Sequence, residues 1–417
     1  MMDRLAKADP EIARLIMQEH ERQNETLELI ASENHVSIPV LMALGSVLTD
    51  KYAEGYPAHR WYCGCDECDK VEQIAIDRAK SLFRMDHANV QPHSGTNANL
   101  AVYLAALQPG DKIMGMDLAH GGHLSHGLGI NLSGKIYKAT HYGVEKDTER
   151  LDMDHVRQLV LKEKPQMLVV GASAYPRKLD FEAFGQIAAE AGCLMMADVA
   201  HIAGLVVSGQ HPTPAPYADF ITTTNHKTLR GPRGGIILCK AQWAKKIDQA
   251  IFPGIQGGPL MHSIAAKAVS FLEAMKPEFK NYAGAIINNA RVLADEITTR
   301  GWRLVSGGTD NHLMLVDIRS KMPDMTGHEA AAMLSEAGII CNKNAIPFDP
   351  RPPIKTSGIR LGTPAITTRG LGSEHMTLLA DWIDKILTSG GNQDTIKKAQ
   401  NFVHDICKQF PVPNHNL

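Results

Sequence analysis

Short apolar stretches alternate with segments of helical pattern from about residue 86 to about residue 245. Apolar runs of this length, each followed by a helix, are typical of strands that lie side by side in a mostly parallel sheet covered by helices on both faces. We therefore predict an α/β fold for this part of the chain. The predicted strands are 112–117, 135–140, 166–173, 193–200 and 234–240, and the predicted helices are 96–107, 152–164, 181–191 and 242–250.

The segments on either side of this region have other patterns. Residues 10–28 predict an amphipathic helix, and residues 262–300 predict one long helix. The shorter strands and helices that follow are typical of a smaller α+β domain. We predict three parts, namely an N-terminal helical arm at 1–28, a large domain at 29–280 and a small C-terminal domain at 281–417.

Charge and cysteine content exclude several classes of protein. Lys plus Arg number 43 and Asp plus Glu number 45, a net charge of −2, so the chain has no basic footprint for nucleic acid or an anionic membrane. No apolar run is long enough to span a bilayer, and the N-terminus lacks the apolar core of a signal peptide. The odd count of seven cysteines argues against a disulfide framework, so we predict a reducing, cytoplasmic location.

Lys227 lies in a polar turn between two apolar strands, in the segment DFITTTNHKTLRGPRGGIILCK at 219–240. A lysine between buried strands is costly unless its charge is used or its pKa is shifted, and a Schiff-base lysine suits such a place. The alternative is an exposed hairpin lysine. The neighbouring hydroxyls and the glycine-rich turn favour the first interpretation.

Asp198 ends the apolar stretch CLMMADVA, and His201 follows three residues later. The carboxyl ends of strands in an open α/β sheet face the ligand crevice, and a buried carboxylate there needs a cationic partner. The protonated nitrogen of a pyridine cofactor would serve. Helix capping by Asp198 is an equally good explanation of this residue alone.

Three further patterns point to a ligand. Ser94, Gly95 and Thr96 precede a predicted helix and could cradle an anion, although simple helix capping explains them too. The histidines of DLAHGGHLSHG at 117–127 could bind zinc or stack on a cofactor ring. Arg360 suits bidentate capture of a carboxylate, or else an interdomain ion pair. Taken with Lys227 and Asp198, these groups specify pyridoxal phosphate acting on an amino acid.

A cluster of three cysteines lies in HRWYCGCDECD at 59–69. It could be a metal site, a redox thiol pair or an altered substrate loop. Three thiols without an obvious fourth ligand argue against zinc or iron, and we predict no bound metal.

The chain resembles the serine hydroxymethyltransferases, which are fold-type I pyridoxal-phosphate enzymes. The motifs that carry the resemblance occur in order over nearly the whole chain, and they are LELIASEN, SVLTDKYAEGYP, VEQIAIDRAKSLF, PHSGTNAN, DLAHGGHLSHG, GASAYPR, ADVAHIAGLV, HKTLRGPRGG, FPGIQGGP and TSGIRLGTPA. The resemblance implies an aspartate aminotransferase-like fold, with a mostly parallel seven-stranded sheet in the large domain and a small α+β C-terminal domain.

The resemblance also implies how the cofactor is held. Lys227 would form a Schiff base with pyridoxal 5'-phosphate, and Asp198 would pair with the pyridine nitrogen. His123 would stack on the ring and His201 would lie near the phenolic oxygen. The other residues with an implied role at the cofactor or in ordering the lysine loop are Ser94, Gly95, Thr96, Ser173, Thr224, Arg233 and, in the partner subunit, Gly258.

Substrate contacts are implied in the same way. Ser32 and Arg360 would bind the substrate carboxylate. Glu54, Tyr52 and Tyr62 would come from the partner subunit of a homodimer or tetramer, with Glu54 moving the proton at the substrate hydroxyl or the folate. The residues implied at the tetrahydrofolate site are Leu118, Leu124 and Asn344.

The implied activity is the glycine hydroxymethyltransferase reaction, in which serine and tetrahydrofolate are reversibly converted to glycine and 5,10-methylenetetrahydrofolate. The segment that usually reads RYYGGCEYVD here has Trp61, Cys63 and Cys68 as replacements, while Asn225 stands for a usual threonine and Ile354 for a frequent phenylalanine. These departures keep two alternatives open, an α-methylserine hydroxymethyltransferase and a folate-independent aldolase for β-hydroxy amino acids. A paralogue that only binds a ligand is disfavoured because the chemical groups are intact.

Overall fold

The computed structural model describes residues 2–413 and divides into two compact units. One unit is Pro39–Ala283, and the other combines Met1–Ile38 with Gly284–Leu417. The division into an arm, a large domain and a small domain stays a prediction. Within the described residues, no helix combines the length and the apolar character needed to cross a membrane.

The helices and strands are numbered along the chain. The helices are α1 (Met2–Ala8), α2 (Pro10–Glu25), α3 (Ile38–Leu44), α4 (Asp66–Phe83), α5 (Gly95–Ala106), α6 (Leu132–Ile136), α7 (Met153–Glu163), α8 (Phe181–Ala191), α9 (Ala203–Val207), α10 (Ala244–Gln249), α11 (Met261–Ala274), α12 (Pro277–Thr299), α13 (Gly327–Glu336), α14 (Pro364–Thr368), α15 (Ser373–Thr388) and α16 (Gln393–Gln409). The strands are β1 (Leu27–Glu28), β2 (Gly55–Tyr56), β3 (His59–Arg60), β4 (His87–Asn89), β5 (Lys112–Met116), β6 (Lys138–Tyr142), β7 (Met167–Gly171), β8 (Leu194–Asp198), β9 (Phe220–Thr224), β10 (Gly235–Cys239), β11 (Arg303–Leu304), β12 (Leu313–Asp317), β13 (Ile339–Ile340), β14 (Asn342–Asn344) and β15 (Gly358–Gly362).

A seven-stranded sheet forms the centre of the unit Pro39–Ala283, in the order β4-β10-β9-β8-β7-β5-β6. Strand β10 runs antiparallel to β4 and β9, and the other neighbouring pairs are parallel. All residues of β7, β9 and β10 are buried, as expected for strands covered on both faces. The predicted mostly parallel seven-stranded sheet is confirmed.

The strand predicted at 135–140 was placed too early. Asn131 caps α6, because its side chain accepts a hydrogen bond from the backbone N–H of Ser133 at 3.0 Å. The cap begins a short helix that extends to Ile136, so β6 starts only at Lys138.

The single helix predicted at 262–300 is wrong, because the chain forms α11 and α12 with a break after Ala274. Pro277 is the first residue of α12. A proline disfavours helical geometry in the residue before it and has no N–H for a continuing helix. Proline is, however, well suited to the first position of a new helix.

The second unit contains a four-stranded antiparallel sheet in the order β11-β12-β15-β14. The helix predicted at 10–28 ends at Glu25, because Leu27 and Glu28 pair in parallel with Ile339 and Ile340 as β1 and β13. A buried core with Trp302, Leu334 and Ile383 among its members holds this unit together.

The parallel strands of the large sheet place their carboxyl ends along one edge. Asp198 is the last residue of β8, Thr224 is the last residue of β9, and the loop that carries His123 follows β5. In an open α/β sheet this edge is where ligands bind.

Candidate active site

Asp198 is a buried carboxylate with donors on both oxygens. Its Oδ2 accepts hydrogen bonds from Asn99 Nδ2 at 2.8 Å and from His126 Nε2 at 3.0 Å. Its Oδ1 accepts the backbone N–H of Ala200 at 3.1 Å. These bonds aim the carboxylate at the carboxyl end of the sheet.

The same contacts decide the charge of Asp198. Burial acts to raise the pKa of the carboxyl group, but the hydrogen bond and charge of His126, with further contributions from His123 and Asn99, outweigh it. The pKa of Asp198 therefore lies below its ordinary value, and the group is an anion at neutral pH.

His123 is close to this anion and is held neutral. Its Nδ1 is 2.7 Å from Ser125 Oγ, and its ring centroid lies 5.5 Å from that of His126. Burial lowers the pKa of His123 to about 4, the Asp198 charge opposes this, and the charges of His126 and Lys227 add to it. An uncharged imidazole is suited to stacking on a flat ring.

Lys227 lies in the segment between β9 and β10 and is only 9% exposed. The next residue, Thr228, fixes this segment, because its hydroxyl donates to the carbonyl of His201 at 2.9 Å and accepts the N–H of Gly204 at 3.0 Å. The structure thus places Lys227 as a buried residue next to a segment held against the loop that follows Asp198.

Ser94, Gly95 and Thr96 form the N-terminus of α5. Ser94 is the N-cap, and its hydroxyl accepts the N–H of Asn97 at 3.2 Å. A Cβ atom added at Gly95 would lie 2.8 Å from Thr224 Cγ2, so the close approach to β9 requires glycine. The open N–H groups of this turn remain suited to an anion.

The remaining predicted cofactor contacts differ in exposure. His201 is buried, while Ser173 is half-buried and its N–H donates to the carbonyl of Gly121 at 2.7 Å. Arg233 is exposed, and its carbonyl accepts the hydroxyl of Ser263 at 3.3 Å. Asn225 is fully buried, and its side-chain amide has no hydrogen-bond partner among the described residues.

The structure brings together two of the three histidines of DLAHGGHLSHG. His123, His126 and Asp198 are the one group of three potential metal ligands found among residues 2–413, with ligand atoms within 4.8 Å of one another. His120 instead accepts the N–H of Val144 at 3.1 Å through Nδ1. His126 and Asp198 are hydrogen-bonded to each other, and the absence of a bound metal stays a prediction.

A second cluster contains Tyr52, Glu54, Tyr62 and Gly258. The rings of Tyr52 and Tyr62 meet edge to face with centroids 5.3 Å apart. The Glu54 charge and hydrogen bond raise the pKa of Tyr52, and the Gly258 backbone opposes this through a hydrogen bond. Both tyrosines are about half-exposed, so the cluster faces outwards on a single chain.

The cysteine cluster supports this second group. Cys63 is exposed, whereas Cys65 and Cys68 are buried. The Cys65 thiol lies 3.4 Å from the Tyr62 carbonyl and 3.8 Å from the Tyr52 carbonyl. Cys65 therefore connects the backbones of the two tyrosines, and the three thiols are not among the groups of described residues whose ligand atoms converge.

The predicted carboxylate-binding residues lie in the other unit. Arg360, on β15, donates from Nε to Asn342 Oδ1 at 3.2 Å, and burial lowers its pKa to about 10. A Cβ atom added at Gly362, two residues along the same strand face, would lie 2.4 Å from Ala31 Cα. Ala31, the residue before Ser32, therefore lies against the face of β15 that carries Arg360.

The predicted folate contacts stay predictions. Leu118 and Leu124 are exposed in loops after β5, and Asn344, half-buried on β14, donates from Nδ2 to the Ala345 carbonyl at 2.6 Å. Trp61 and Ile354, two of the departures from the family pattern, are 75% and 73% exposed.

Sequence reasoning missed Asn99 and Ser125, which bond to the side chains of Asp198 and His123. Asn99 donates from the same amide nitrogen to Ser125 Oγ and to Asp198, each at 2.8 Å. The only sequence signal is an asparagine on the buried face of an apolar helix, and such a residue needs polar partners.

Acidification is expected to destabilise the purified chain through two imidazoles. Burial lowers the pKa of His123 to about 4 and of His226 to about 3, with Arg233 and Lys227 adding to the second. Between about pH 6.5 and these values the unfolded chain takes up protons that the folded chain does not. The free energy of unfolding therefore decreases as the pH is lowered. Each imidazole should cost about 1–2 kcal/mol at pH 5.

Urea unfolding at pH 7 and pH 5 measures this effect. The variant His226→Asn should lose less stability than the wild type on acidification, whereas His155→Asn, a change on the exposed face of α7, should behave as wild type. Equal losses in all three proteins would contradict the assignment.

Two comparisons with known proteins agree with this geometry. The family model described as serine hydroxymethyltransferase matches residues 5–383. A serine hydroxymethyltransferase from Nostoc sp. is 57% identical over 414 residues, covering 99% of this chain and 96% of the relative.

Proposed function

The chain belongs to the serine hydroxymethyltransferase family, and we propose that its two clusters carry out the reaction of that family. Serine and tetrahydrofolate are converted reversibly to glycine, 5,10-methylenetetrahydrofolate and water, with pyridoxal 5'-phosphate as cofactor. The single observation that carries the proposal is that the buried, ionised Asp198 and the buried Lys227 both lie close enough to His123 for their charges to act on it.

The residues present fit pyridoxal phosphate. The N-terminus of α5 at Ser94, Gly95 and Thr96 offers N–H and hydroxyl groups for a phosphate. Asp198 is an anion in a buried place, which suits the N–H of a protonated pyridine ring. Lys227 supplies a primary amine, and His123 supplies a neutral ring.

The bound cofactor supplies an electron sink for the electron pair left at the substrate α-carbon when the hydroxymethyl group departs. Asp198 would hold a proton at the pyridine nitrogen, Lys227 would bind the cofactor through Nζ, and His123 would cover one face of the ring. His201 and Ser173 would bond near the phenolic oxygen. Thr224 and Arg233 would order the segment that carries Lys227.

Other residues would hold the two substrates. Arg360 and Ser32 would bind the amino acid carboxylate, since a buried guanidinium is suited to bidentate contact. Glu54 would accept or return the proton of the substrate hydroxyl, with Tyr52 and Tyr62 beside it. The residues that would line the tetrahydrofolate site are Leu118, Leu124 and Asn344.

A homodimer, or a tetramer built from it, would complete each site. The cluster of Tyr52, Glu54, Tyr62 and Gly258 faces outwards and has the exposed Trp61 and Val47 near it in sequence. Exposed aromatic and aliphatic side chains of this kind are typical of an interface. In this arrangement the partner's Glu54 would act on the substrate held at Lys227. All seven cysteines are free thiols, which supports the proposed cytoplasmic location.

Changing Glu54 to glutamine is expected to lower kcat by roughly 10²–10⁴-fold, because a positioned proton carrier is lost. The cofactor absorption band should be unchanged, since Glu54 lies in the second cluster. Steady-state kinetics measure the first effect and an absorption spectrum the second. Glu67→Gln, on the exposed first turn of α4, is the matched control and should keep wild-type kcat.

Mixing Glu54→Gln with Lys227→Gln chains, by co-expression, tests the sharing of sites. Half of the random dimers would be hybrids, each with one intact site, so about a quarter of the wild-type activity should return. Activity no higher than that of the two parent variants would contradict the shared site.

The overall activity is tested with purified, cofactor-loaded protein. We expect serine cleavage that depends on tetrahydrofolate, with glycine as the product. Cleavage that is indifferent to tetrahydrofolate, or faster turnover of α-methylserine than of serine, would contradict the proposed function.

A further inference from the structure

Helix α11 carries three buried polar residues on one face. Ser263, Lys267 and Ser270 are spaced by four and three residues, so they lie above one another along the helix. All three are buried, and their helix neighbours Ile264, Ala266 and Phe271 are apolar and buried too. Buried polar side chains need hydrogen-bond partners, and the partners of this polar stripe (Ser263, Lys267 and Ser270) indicate its role.

The Lys267 ammonium donates hydrogen bonds to three backbone carbonyls. Its Nζ donates to Val90 O at 2.7 Å, Gly235 O at 2.9 Å and Pro92 O at 3.1 Å. These acceptors use all three N–H groups of a charged lysine whose residue is only 2% exposed. Burial lowers the pKa of Lys267 to about 7 and the Glu72 charge opposes this, while the three carbonyl acceptors favour the charged form.

The three carbonyls belong to the two segments that build the cofactor site. Val90 and Pro92 lie between β4 and Ser94, the N-cap of α5. Gly235 begins β10, directly after the turn that contains Lys227, and its N–H donates to the Pro92 carbonyl at 3.0 Å. The ammonium therefore binds both the segment that leads into the N-terminus of α5 and the first residue of β10, which follows the turn with Lys227.

The rest of the stripe contacts the same turn. Ser263 Oγ donates to the Arg233 carbonyl at 3.3 Å. A Cβ atom added at Gly231 would lie 2.6 Å from Ser270 Oγ, and one added at Gly234 would lie 2.6 Å from Lys267 Cε. The turn thus approaches α11 closely at both glycines, and the positive φ of Gly234 also favours glycine there.

We propose that Lys267 is a positioning residue for the reaction. Its ammonium holds the backbone at Pro92 and at Gly235, and it thereby fixes the position of the phosphate-binding turn at Ser94–Thr96 relative to Lys227. This inference rests on the proposed function, because it takes Ser94–Thr96 as the phosphate site and Lys227 as the amine that binds the cofactor. Lys267 itself would touch neither substrate nor cofactor, since its ammonium is used by three backbone carbonyls.

The test uses Lys267→Met, which keeps the length of the side chain and removes the ammonium, and Lys267→Gln, which keeps an amide donor. A shift of about 1 Å in a site can cost roughly 100-fold. We expect Lys267→Met to raise the dissociation constant for pyridoxal phosphate by at least about tenfold and to move the absorption maximum of the bound cofactor. Lys267→Gln should be intermediate in both, as expected for partial rescue by a remaining donor.

The matched control is Val160→Ala, which opens a cavity at a fully buried position of α7, in the same unit but on a helix that carries no residue of the site. Urea unfolding measures the stability of each variant, and Val160→Ala should keep wild-type cofactor affinity and spectrum at a similar loss of stability. Wild-type affinity and spectrum in both Lys267 variants, or losses in Val160→Ala as large as theirs, would overturn the inference. If Lys267→Met does not fold, the comparison of Lys267→Gln with Val160→Ala decides in the same way.

Failure of the proposed function gives a different result. A wild-type protein that shows no cofactor band at all would contradict the proposed function. A wild-type band together with unchanged Lys267 variants would contradict only the role of Lys267.

Discussion

Replacing Lys227 by glutamine is expected to abolish the covalent cofactor band and to lower kcat by roughly 10³-fold or more, as when a nucleophile is removed from other covalent enzymes. The amide of glutamine cannot form the carbon–nitrogen double bond that a primary amine forms. Lys227 is buried in a turn fixed by Thr228, so no water-exposed lysine is expected to take its place. Absorption spectra and single-turnover kinetics measure the two effects.

Lys240→Gln is the matched control for this variant. Lys240 follows β10, lies at the far end of the same hairpin and forms an ion pair with Asp219 at 2.9 Å. Its loss should change stability slightly and leave the band and kcat intact. A wild-type band in Lys227→Gln would contradict the role given to Lys227.

Replacing Asp198 by asparagine is expected to lower kcat by roughly 10²–10⁴-fold while the fold is kept. Asparagine has the same shape and can still bond to Asn99 and His126 after reorientation, but it carries no charge to hold a proton at the pyridine nitrogen. The cofactor should also bind more weakly. Steady-state kinetics and a titration of the purified chain with pyridoxal phosphate measure these changes.

Asp219→Asn is the matched control at the opposite end of β8. Asp219 accepts the N–H of Met195 at 3.0 Å and the ammonium of Lys240 at 2.9 Å, and neither partner belongs to the proposed site. Its variant should keep kcat within about threefold of wild type, whereas equal losses in both variants would assign the Asp198 effect to general damage of the sheet.

The pH dependence separates the two aspartate variants further. The pKa of Asp198 is lowered in the folded chain, so its charge contributes stability above the ordinary pKa of an aspartate, and that contribution is lost as the pH falls through the folded value. Asp198→Asn lacks this contribution at every pH. Its stability should therefore fall less than that of wild type between pH 5 and pH 3.

Several features of the site follow from the sequence because they are local or periodic. Buried strands 5 residues long leave a strong apolar signal, and the residue that ends such a strand in a parallel sheet faces the ligand edge. The position of Asp198 at the ligand edge of the sheet could therefore be predicted before any contact was known. The break before Pro277 was also readable, although the prediction of a single helix overlooked it.

Other features could not be predicted, because they join residues far apart in the chain. Asn99 bonds to Asp198 across 99 residues, and Lys267 bonds to Val90 across 177 residues. A polar residue in an apolar helix indicates that it has a polar partner, but the sequence does not show which one, because many partners would satisfy it equally well.

The sequence by itself therefore determined the class of fold, since hydrophobic period is a local property, and it predicted which chemical groups form the site. Only the tertiary structure decided that His123 stays neutral, that Asp198 stays charged and that the Lys267 ammonium donates to three backbone carbonyls. Those properties depend on burial and on hydrogen-bond partners, and both are decided only when distant segments pack together.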